Sequence, residues 1–177
     1  PVRCHAVHRD GHDFGICPLP DRYATIGDEL LSNHDFMAGT QDWSAAGPVE
    51  LDQDTDQVRL HGVNADQFVT LSRRVKAIST YSHMRITLRA TANQLDGNNP
   101  MWAPAGVAMH SFNVHGQRLW YWPWRIISLT SGDGWQTYEA VIPIAEDTEY
   151  VWLFVYILSH AGNLDVDSIS ASAVEET

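Results

Sequence analysis

The sequence predicts an all-β domain whose antiparallel strands form a sandwich or a barrel, and three observations support this. Short apolar segments recur between turn-forming residues at 57–61, 67–75, 83–92, 106–114, 135–142, 150–159 and 164–173. No stretch shows the 3.6-residue period of an amphipathic helix. The chain has 177 residues, 44% of them hydrophobic, which is enough for one domain with one core.

Two of these segments differ in the faces they present. Apolar and polar side chains alternate strictly in residues 83–92 (HMRITLRATA), so one face of that strand should be buried and the other exposed to water. Residues 151–158 (VWLFVYIL) are apolar on both faces. A strand of this kind must be covered on both sides, by protein or by a ligand, and we expect it at the centre of a sheet. Between strands, the sequence His115-Gly116-Gln117 predicts a hairpin turn.

Residues 1–28 are predicted to be an N-terminal arm or linker, and residues 29–177 the β-sandwich domain. The arm contains Pro18, Pro20 and three glycines and has little hydrophobic periodicity. The first apolar pair after it is Leu30-Leu31.

Cys4 and Cys17, the only cysteines, flank a short polar loop within this arm. A Cys4–Cys17 disulfide closing that loop predicts an extracytoplasmic protein, either periplasmic or secreted, because such compartments are oxidising. One alternative is a pair of thiols without partners. The other is a metal site, since thiolate and imidazole bind zinc. Its further candidate ligands are His5, His8, His12 and Asp13.

Charge and hydropathy exclude two classes of partner. The formal net charge is −11, with 22 acidic residues against 11 Lys and Arg, so the chain should repel phosphate backbones, and nucleic acid is not expected as a partner. No window approaches the roughly 18 apolar residues that would span a bilayer, so we expect no direct membrane insertion in this segment. Because the chain starts at Pro1, we expect that a signal or anchor has been removed, and the domains of a parent protein are further candidate partners.

Three motifs carry a resemblance to a known family. The first is LLSNHDF at residues 30–36, followed by Gly39 and Trp43. The second is GWQTY at residues 134–138, and the third is GNLDVDSIS at residues 162–170. In type and order they resemble the anchors of the galactose-binding-like jelly rolls, which include several carbohydrate-binding-module families attached to glycoside hydrolases. The resemblance covers residues 30–174 and implies an antiparallel two-sheet jelly-roll sandwich, here with an irregular N-terminal arm.

The resemblance also implies a structural calcium ion. In the family, the usual ligands are the Glu after the opening Phe, backbone carbonyls, and the Asp of the last strand. In this chain Met37 stands where that Glu is expected, whereas Asp167 matches the last-strand Asp and Asp35 lies in the opening motif. Asp35 and Asp167 are therefore the candidate ligands, with turn capping as the alternative role.

The most conspicuous ligand-binding candidates lie in residues 119–125 (LWYWPWR), which hold four aromatic side chains in five positions. If the segment is extended, Trp120, Trp122 and Trp124 share one side, and Pro123 indicates an edge or rim. Sugar sites pair exposed aromatic platforms with polar groups, here Arg125. The alternative is that these tryptophans fill the core.

Two further segments supply aromatic candidates. Trp102 lies in a polar, proline-rich segment (NNPMWAP, 98–104), which predicts exposure. His110 and Phe112 alternate within residues 106–114.

A groove is a second possible location for a ligand. Trp152, Phe154 and Tyr156 share one face of their strand, and Arg85 and Arg89 share the polar face of theirs. If both faces lie on the same side of one sheet, they would form the floor of a groove that both stacks and hydrogen-bonds a sugar. The alternative is a core face for the aromatics and an ordinary solvent face for the arginines.

These residues predict a non-catalytic module that binds oligosaccharides or polysaccharides, in a secreted or membrane-anchored extracytoplasmic protein. The alternative is a structural or protein-interaction β-sandwich without sugar binding. A third possibility is a hydrolase or lyase that uses a pair of carboxylates. Candidate pairs are Glu139 with Asp165, and Glu50 with Asp96. No nucleophile-elbow, His-Glu-x-x-His or phosphate-loop motif occurs, which favours binding over catalysis.

Overall fold

A computed structural model describes residues 6–9, 12–15, 23–76, 80–97, 99, 101–119, 125–132 and 134–177. These residues form strands and turns and contain no helix, as the sequence predicts. Helices that could cross a membrane are consequently absent from the described part of the chain. The described strands are β1 (Ala6–Arg9), β2 (His12–Gly15), β3 (Tyr23–Glu29), β4 (Ser44–Ala46), β5 (Val49–Asp52), β6 (Gln57–His61), β7 (Val69–Lys76), β8 (His83–Asn93), β9 (Ala105–Phe112), β10 (Arg118–Leu119), β11 (Arg125–Leu129), β12 (Gln136–Pro143), β13 (Tyr150–Ile157) and β14 (Asn163–Glu176).

The strands form two antiparallel six-stranded sheets, which we call sheet I and sheet II. Sheet I has the order β12-β8-β14-β6-β5, with β3 also paired to β14. Sheet II has the order β10-β9-β13-β7-β4, with β11 also paired to β9. Neither sheet closes on itself, so the architecture is a sandwich rather than a barrel. The fold class predicted from the sequence is confirmed.

The core lies between the inward faces of the two sheets. From β8 of sheet I, Met84, Ile86 and Leu88 are fully buried, as their alternation predicts. From β13 of sheet II, Val151, Leu153, Val155 and Ile157 face them. The aromatic side chains between those residues of β13 therefore point away from the core.

The opening motif has a structural role. Phe36 is fully buried and its ring lies 5.6 Å from that of Trp43. The indole Nε1 of Trp43 donates a hydrogen bond to the Asn33 carbonyl at 3.1 Å, and the Ile169 N–H of β14 donates one to the His34 carbonyl at 2.9 Å. The motif thus attaches the loop before β4 to the last strand of sheet I.

The N-terminal segment differs in part from the predicted arm. Tyr23–Glu29 forms β3 and pairs with β14, so sheet I begins before the expected boundary at residue 29. Ala6–Arg9 and His12–Gly15 form a separate two-stranded hairpin in which His8 is opposite Asp13. Cys4, Cys17 and His5 lie outside the described residues. The disulfide and the metal site at that position therefore stay predictions.

Candidate functional site

The candidate site is the outward face of sheet II. On β13 the outward side chains are Tyr150, Trp152, Phe154 and Tyr156, because the alternate residues fill the core. Strand pairing adds two aromatic side chains from β9, and the segments before β7 and β9 add one each. We call the following eight residues the aromatic face: Phe68, Trp102, His110, Phe112, Tyr150, Trp152, Phe154 and Tyr156.

A cavity of about 170 Å³ opens at one end of the aromatic face. Three rings meet nearly at right angles there: Phe68 lies 5.0 Å from Trp102 and 5.5 Å from Tyr156, and Trp102 lies 5.3 Å from Tyr156. These edge-to-face contacts stabilise the orientation of the two partly exposed rings, Phe68 and Trp102, against the buried ring of Tyr156. The remaining lining residues are Thr70, Ala108, His110 and Phe154.

Small residues and a polar loop position the ring of Trp102. Ala108 and Gly106 of β9 neighbour Phe154 and Tyr156, and their small size leaves room above the sheet. The Asn99 carboxamide oxygen accepts hydrogen bonds from the N–H groups of Met101 and Trp102, at 2.9 and 3.1 Å. The Arg125 guanidinium donates to the Met101 carbonyl and lies 5.9 Å from the Trp102 ring.

Along the rest of the face the rings alternate with polar groups. In the register of the sheet, Trp152 lies between His110 and Arg74. Tyr150 stacks on Phe112, with centroids 5.0 Å apart and planes 7° apart. The Arg74 guanidinium lies over the Tyr150 ring, 3.7 Å from its centroid. The face therefore combines stacking surfaces with a cation that can donate several hydrogen bonds.

Burial shifts the pKa values of two groups on the face. The pKa of His110 is lowered from 6.5 to about 4 by burial and by the positive charge of Arg118. His110 is therefore neutral at pH 7 and can both donate and accept hydrogen bonds. Burial also raises the pKa of Tyr156, so its phenol stays protonated through the physiological range.

The sequence-predicted ligand residues fall into three groups. Trp102, Tyr156 and Arg125 come together at the cavity of sheet II. Trp120, Trp122 and Trp124 lie outside the described residues, and their exposure stays a prediction.

Arg85 and Arg89 belong to sheet I, whose outward face is on the other side of the sandwich. They pair there with Glu139 at 3.3 Å and Asp167 at 3.2 Å. The expected groove that combined these arginines with Trp152 is therefore not formed, because β8 and β13 are in different sheets. Phe68, Thr70 and Arg74 take their place beside the aromatic residues. Their position on alternate residues of the predicted strand 67–75 was the available signal.

The carboxylates considered for calcium already have partners. The Asp35 carboxylate accepts a hydrogen bond from the Met37 N–H at 3.4 Å, and Asp167 pairs with Arg89. Met37 itself is 74% exposed. Within the described ranges, no three His, Cys, Asp or Glu side chains are grouped to hold a metal ion. These donors fit calcium less well than the resemblance implies, and the calcium site stays a prediction.

A second cavity, of about 250 Å³, lies on sheet I and is polar. Arg59 crosses it and pairs with Asp165 at 2.5 Å, and the His61 imidazole lies 3.1 Å from the Glu50 carboxylate. This region includes carboxylates considered for hydrolysis, but Asp165 is engaged by Arg59 and Glu139 by Arg85. The described lining of this cavity has no aromatic side chain on which a sugar ring could stack.

Comparisons with known proteins define the class of fold. No protein-family model and no curated protein matches the chain. Among solved structures, it is similar to the CBM22-1 xylan-binding domain of Paenibacillus barcinonensis Xyn10C, with a TM-score of 0.55 and 18% identity over 87% of this chain and 99% of that domain. It is also similar to a family 16 carbohydrate-binding module-2, with a TM-score of 0.59 and 11% identity over 80% of this chain and 98% of the module.

A third similar structure is the enzymatically active domain of tailspike protein 4 of bacteriophage CBA120, with a TM-score of 0.60 and 10% identity. The match covers 82% of this chain, which spans about a fifth of the tailspike chain. Most of the similar structures are carbohydrate-binding modules. The chain has the jelly-roll fold of these modules, as the resemblance of its motifs predicts.

Proposed function

We propose that the chain is a non-catalytic carbohydrate-binding module that holds an oligosaccharide or polysaccharide on the aromatic face of sheet II. The observation that carries this proposal is the row of outward aromatic side chains on the central strand β13. Six of the eight side chains of the aromatic face are half-buried and Phe68 is 38% exposed, so the face presents adjacent ring surface to a partner. Sugar rings are suitable partners because they present a face of C–H groups and a rim of hydroxyls.

The proposed mechanism separates stacking from hydrogen bonding. Trp152, Phe154 and Trp102 offer the partly exposed ring surfaces for stacking. Neutral His110 and the Arg74 guanidinium offer hydrogen bonds to hydroxyl groups at the centre of the face. The face is shallow and partly polar, so we expect dissociation constants on the order of micromolar to millimolar.

The decisive experiment is isothermal titration with a panel of soluble polysaccharides. Trp152→Ala should weaken binding by about tenfold, because the loss of one stacking partner costs roughly 1 kcal/mol or more. Trp135→Ala is the matched control, since Trp135 is also partly exposed but lies beside Arg89 on sheet I. It should leave the dissociation constant unchanged. Far-UV circular dichroism verifies that each variant is folded.

Three outcomes would count against the proposal. If Trp135→Ala and Trp152→Ala weaken binding equally, the ligand does not lie on the aromatic face. If no polysaccharide in a broad panel binds the wild type, the module is a structural or protein-interaction domain instead. Turnover of any polysaccharide in the panel would overturn the non-catalytic assignment.

Two further proposals have tests of their own. We propose a structural calcium ion at Asp35 and Asp167; added calcium should then raise the melting temperature, and Asp35→Asn should abolish that increase.

We also propose an extracytoplasmic location, since soluble polysaccharides are found mainly outside the cytoplasm. A reporter fusion of the parent protein, read in periplasmic and secreted fractions, would check it.

A further inference from the structure

Basic residues are distributed unevenly over the two sheets. Acidic residues outnumber Lys and Arg two to one in the chain as a whole. In the register of sheet II, however, Lys76 is opposite Tyr150, Arg74 is opposite Trp152, and Arg118 is opposite Phe112. Antiparallel partners point to the same side, so these cations project from the aromatic face. Arg125 adds a fourth cation beside the cavity.

Carboxylates are missing from the same positions. The outward residues of the described strands β4, β7, β9, β11 and β13 are aromatic, small, hydroxyl-bearing or basic, and none is Asp or Glu. In a chain with a net charge of −11, this face is therefore a local region of positive charge.

The cations also differ in their pairing. On sheet I, Arg59 pairs with Asp165, Arg85 with Glu139 and Arg89 with Asp167. Arg74 and Lys76 form no ion pair within the described part of the chain, and the Arg74 guanidinium lies over the Tyr150 ring. Two cations of this acidic protein, Arg74 and Lys76, therefore lie beside the partly exposed aromatic rings without a carboxylate partner among the described residues.

Two titrating groups respond to this charge. Arg118 lowers the pKa of His110, and Arg125 acts in the same direction on Tyr156, although burial has the larger effect on each. Both effects are consistent with the positions of Arg118 and Arg125 beside the aromatic face, which the strand register gives independently.

We propose that the aromatic face selects acidic polysaccharides, those that contain uronate residues, over neutral ones. This inference rests on the proposed function and specifies its ligand. A uronate residue stacked on Trp152 would bring its carboxylate within reach of Arg74, whose guanidinium lies over the Tyr150 ring. A planar guanidinium matches a carboxylate with two parallel hydrogen bonds, and Lys76 adds a second charge one outward position further along β7.

The long-range field does not assist such a ligand, because the net charge of the chain is negative. Selection for the acidic polysaccharide therefore depends on its carboxylates coming close to the cations, within a Debye length of roughly 8–10 Å. We expect association to be slow and salt-sensitive, and the acidic polysaccharide to have the lower dissociation constant.

The test uses polygalacturonate, alginate and hyaluronan, each beside its carboxyl-reduced form, which keeps the backbone but removes the charge. Isothermal titration at low and high salt measures the preference. The wild type should bind each acidic form more tightly than its reduced partner. Arg74→Gln and Lys76→Gln should each weaken binding of the acidic form about two- to fivefold at low salt, with a smaller effect at high salt.

Gln53→Glu is the matched control, because it changes net charge by the same amount at an exposed turn of sheet I. It should leave the preference intact. Equal binding of acidic and reduced forms, abolished by Trp152→Ala, would overturn the selectivity while retaining the sugar-binding function. If neither form of any polysaccharide binds, the inference fails together with the proposed function. A Gln53→Glu effect as large as that of Arg74→Gln would also overturn it, since overall charge would then be the cause.

Discussion

The substitution Tyr156→Phe should stabilise the folded protein, although it removes a polar group. Tyr156 is 1% exposed, and its hydroxyl has no hydrogen-bond partner among the described residues. The hydroxyl lies close to Gly106, where an added methyl carbon would be 3.1 Å away. A buried hydroxyl without a partner costs about 1–3 kcal/mol relative to water. The ring contacts with Phe68 and Trp102 are unchanged by the substitution.

We expect the free energy of unfolding to rise by about 1 kcal/mol, at the lower end of that cost, because removal of the oxygen leaves a small gap. For a domain of this size the melting temperature should rise by roughly 2–4 °C. Urea unfolding followed by circular dichroism and a calorimetric melt, both at pH 7, measure the two quantities.

The pH dependence of the stability tests the role of the same hydroxyl independently. Burial raises the pKa of Tyr156 in the folded state, whereas an unfolded tyrosine titrates near pH 10. Above about pH 10 the unfolded chain loses a proton that the folded chain retains, so wild-type stability falls as pH rises. The advantage of Tyr156→Phe should therefore widen in alkaline solution. A variant less stable than the wild type at pH 7, or a gap that stays constant into the alkaline range, would refute this reasoning.

Two further predictions concern stability. Gly162→Ala should destabilise the fold by about 2 kcal/mol or more, because Gly162 has a φ of +84° and its added Cβ would lie 2.3 Å from the Asn93 carbonyl oxygen. Gly134→Ala, at φ +64° with no neighbour within 4 Å, should cost only about 1 kcal/mol in urea unfolding; equal losses would contradict the steric argument. His110 has a pKa of about 4 when folded against 6.5 ordinarily, so falling pH between these values protonates the unfolded chain first and destabilises the fold. His110→Phe should lose less stability than the wild type between pH 7 and 4.5, and parallel losses would show that other groups are responsible.

Which face of an individual strand is buried could be predicted, because it depends only on the local alternation of apolar and polar residues. In residues 83–92 the apolar set is buried in β8 and the polar set faces outward, as the two-residue period requires. The strand bounds at 57–61 match β6, and the other predicted strands lie within a few residues of the observed ones. The turn at residues 113–117 is closed by a hydrogen bond from the Asn113 N–H to the Gln117 carbonyl.

The composition of the site could not be predicted in the same way. Whether Arg89 or Arg74 lies beside Trp152 depends on which strands are neighbours, and β13 pairs with β7 and β9 from distant parts of the chain. Such pairings are decided by packing across the whole core rather than by local pattern. The sequence therefore indicated aromatic residues on one face of 150–159 but left open which arginines lie beside them.

Strand β3 was not predicted from the sequence, for a different reason. It is mostly exposed and, among the described strands, pairs with β14 alone, so few of its residues need to be apolar. Gly27 has a φ of +79° near a register shift in this pairing. A mostly solvent-exposed strand of this kind leaves no alternating pattern in the sequence, and only its backbone pairing reveals it.

The position of β14 has a consequence for how the protein folds. This strand pairs with β3, β6 and β8, yet it follows all of them in the chain. During synthesis, sheet I cannot be completed until β14 leaves the ribosome. Until then, β3, β6 and β8 have unpaired backbone groups along the edges that β14 will occupy. Pairing over such sequence separations is slow to form. The domain should therefore acquire its native sheet in one late step, and chaperone dependence would be concentrated in the interval before that strand is available.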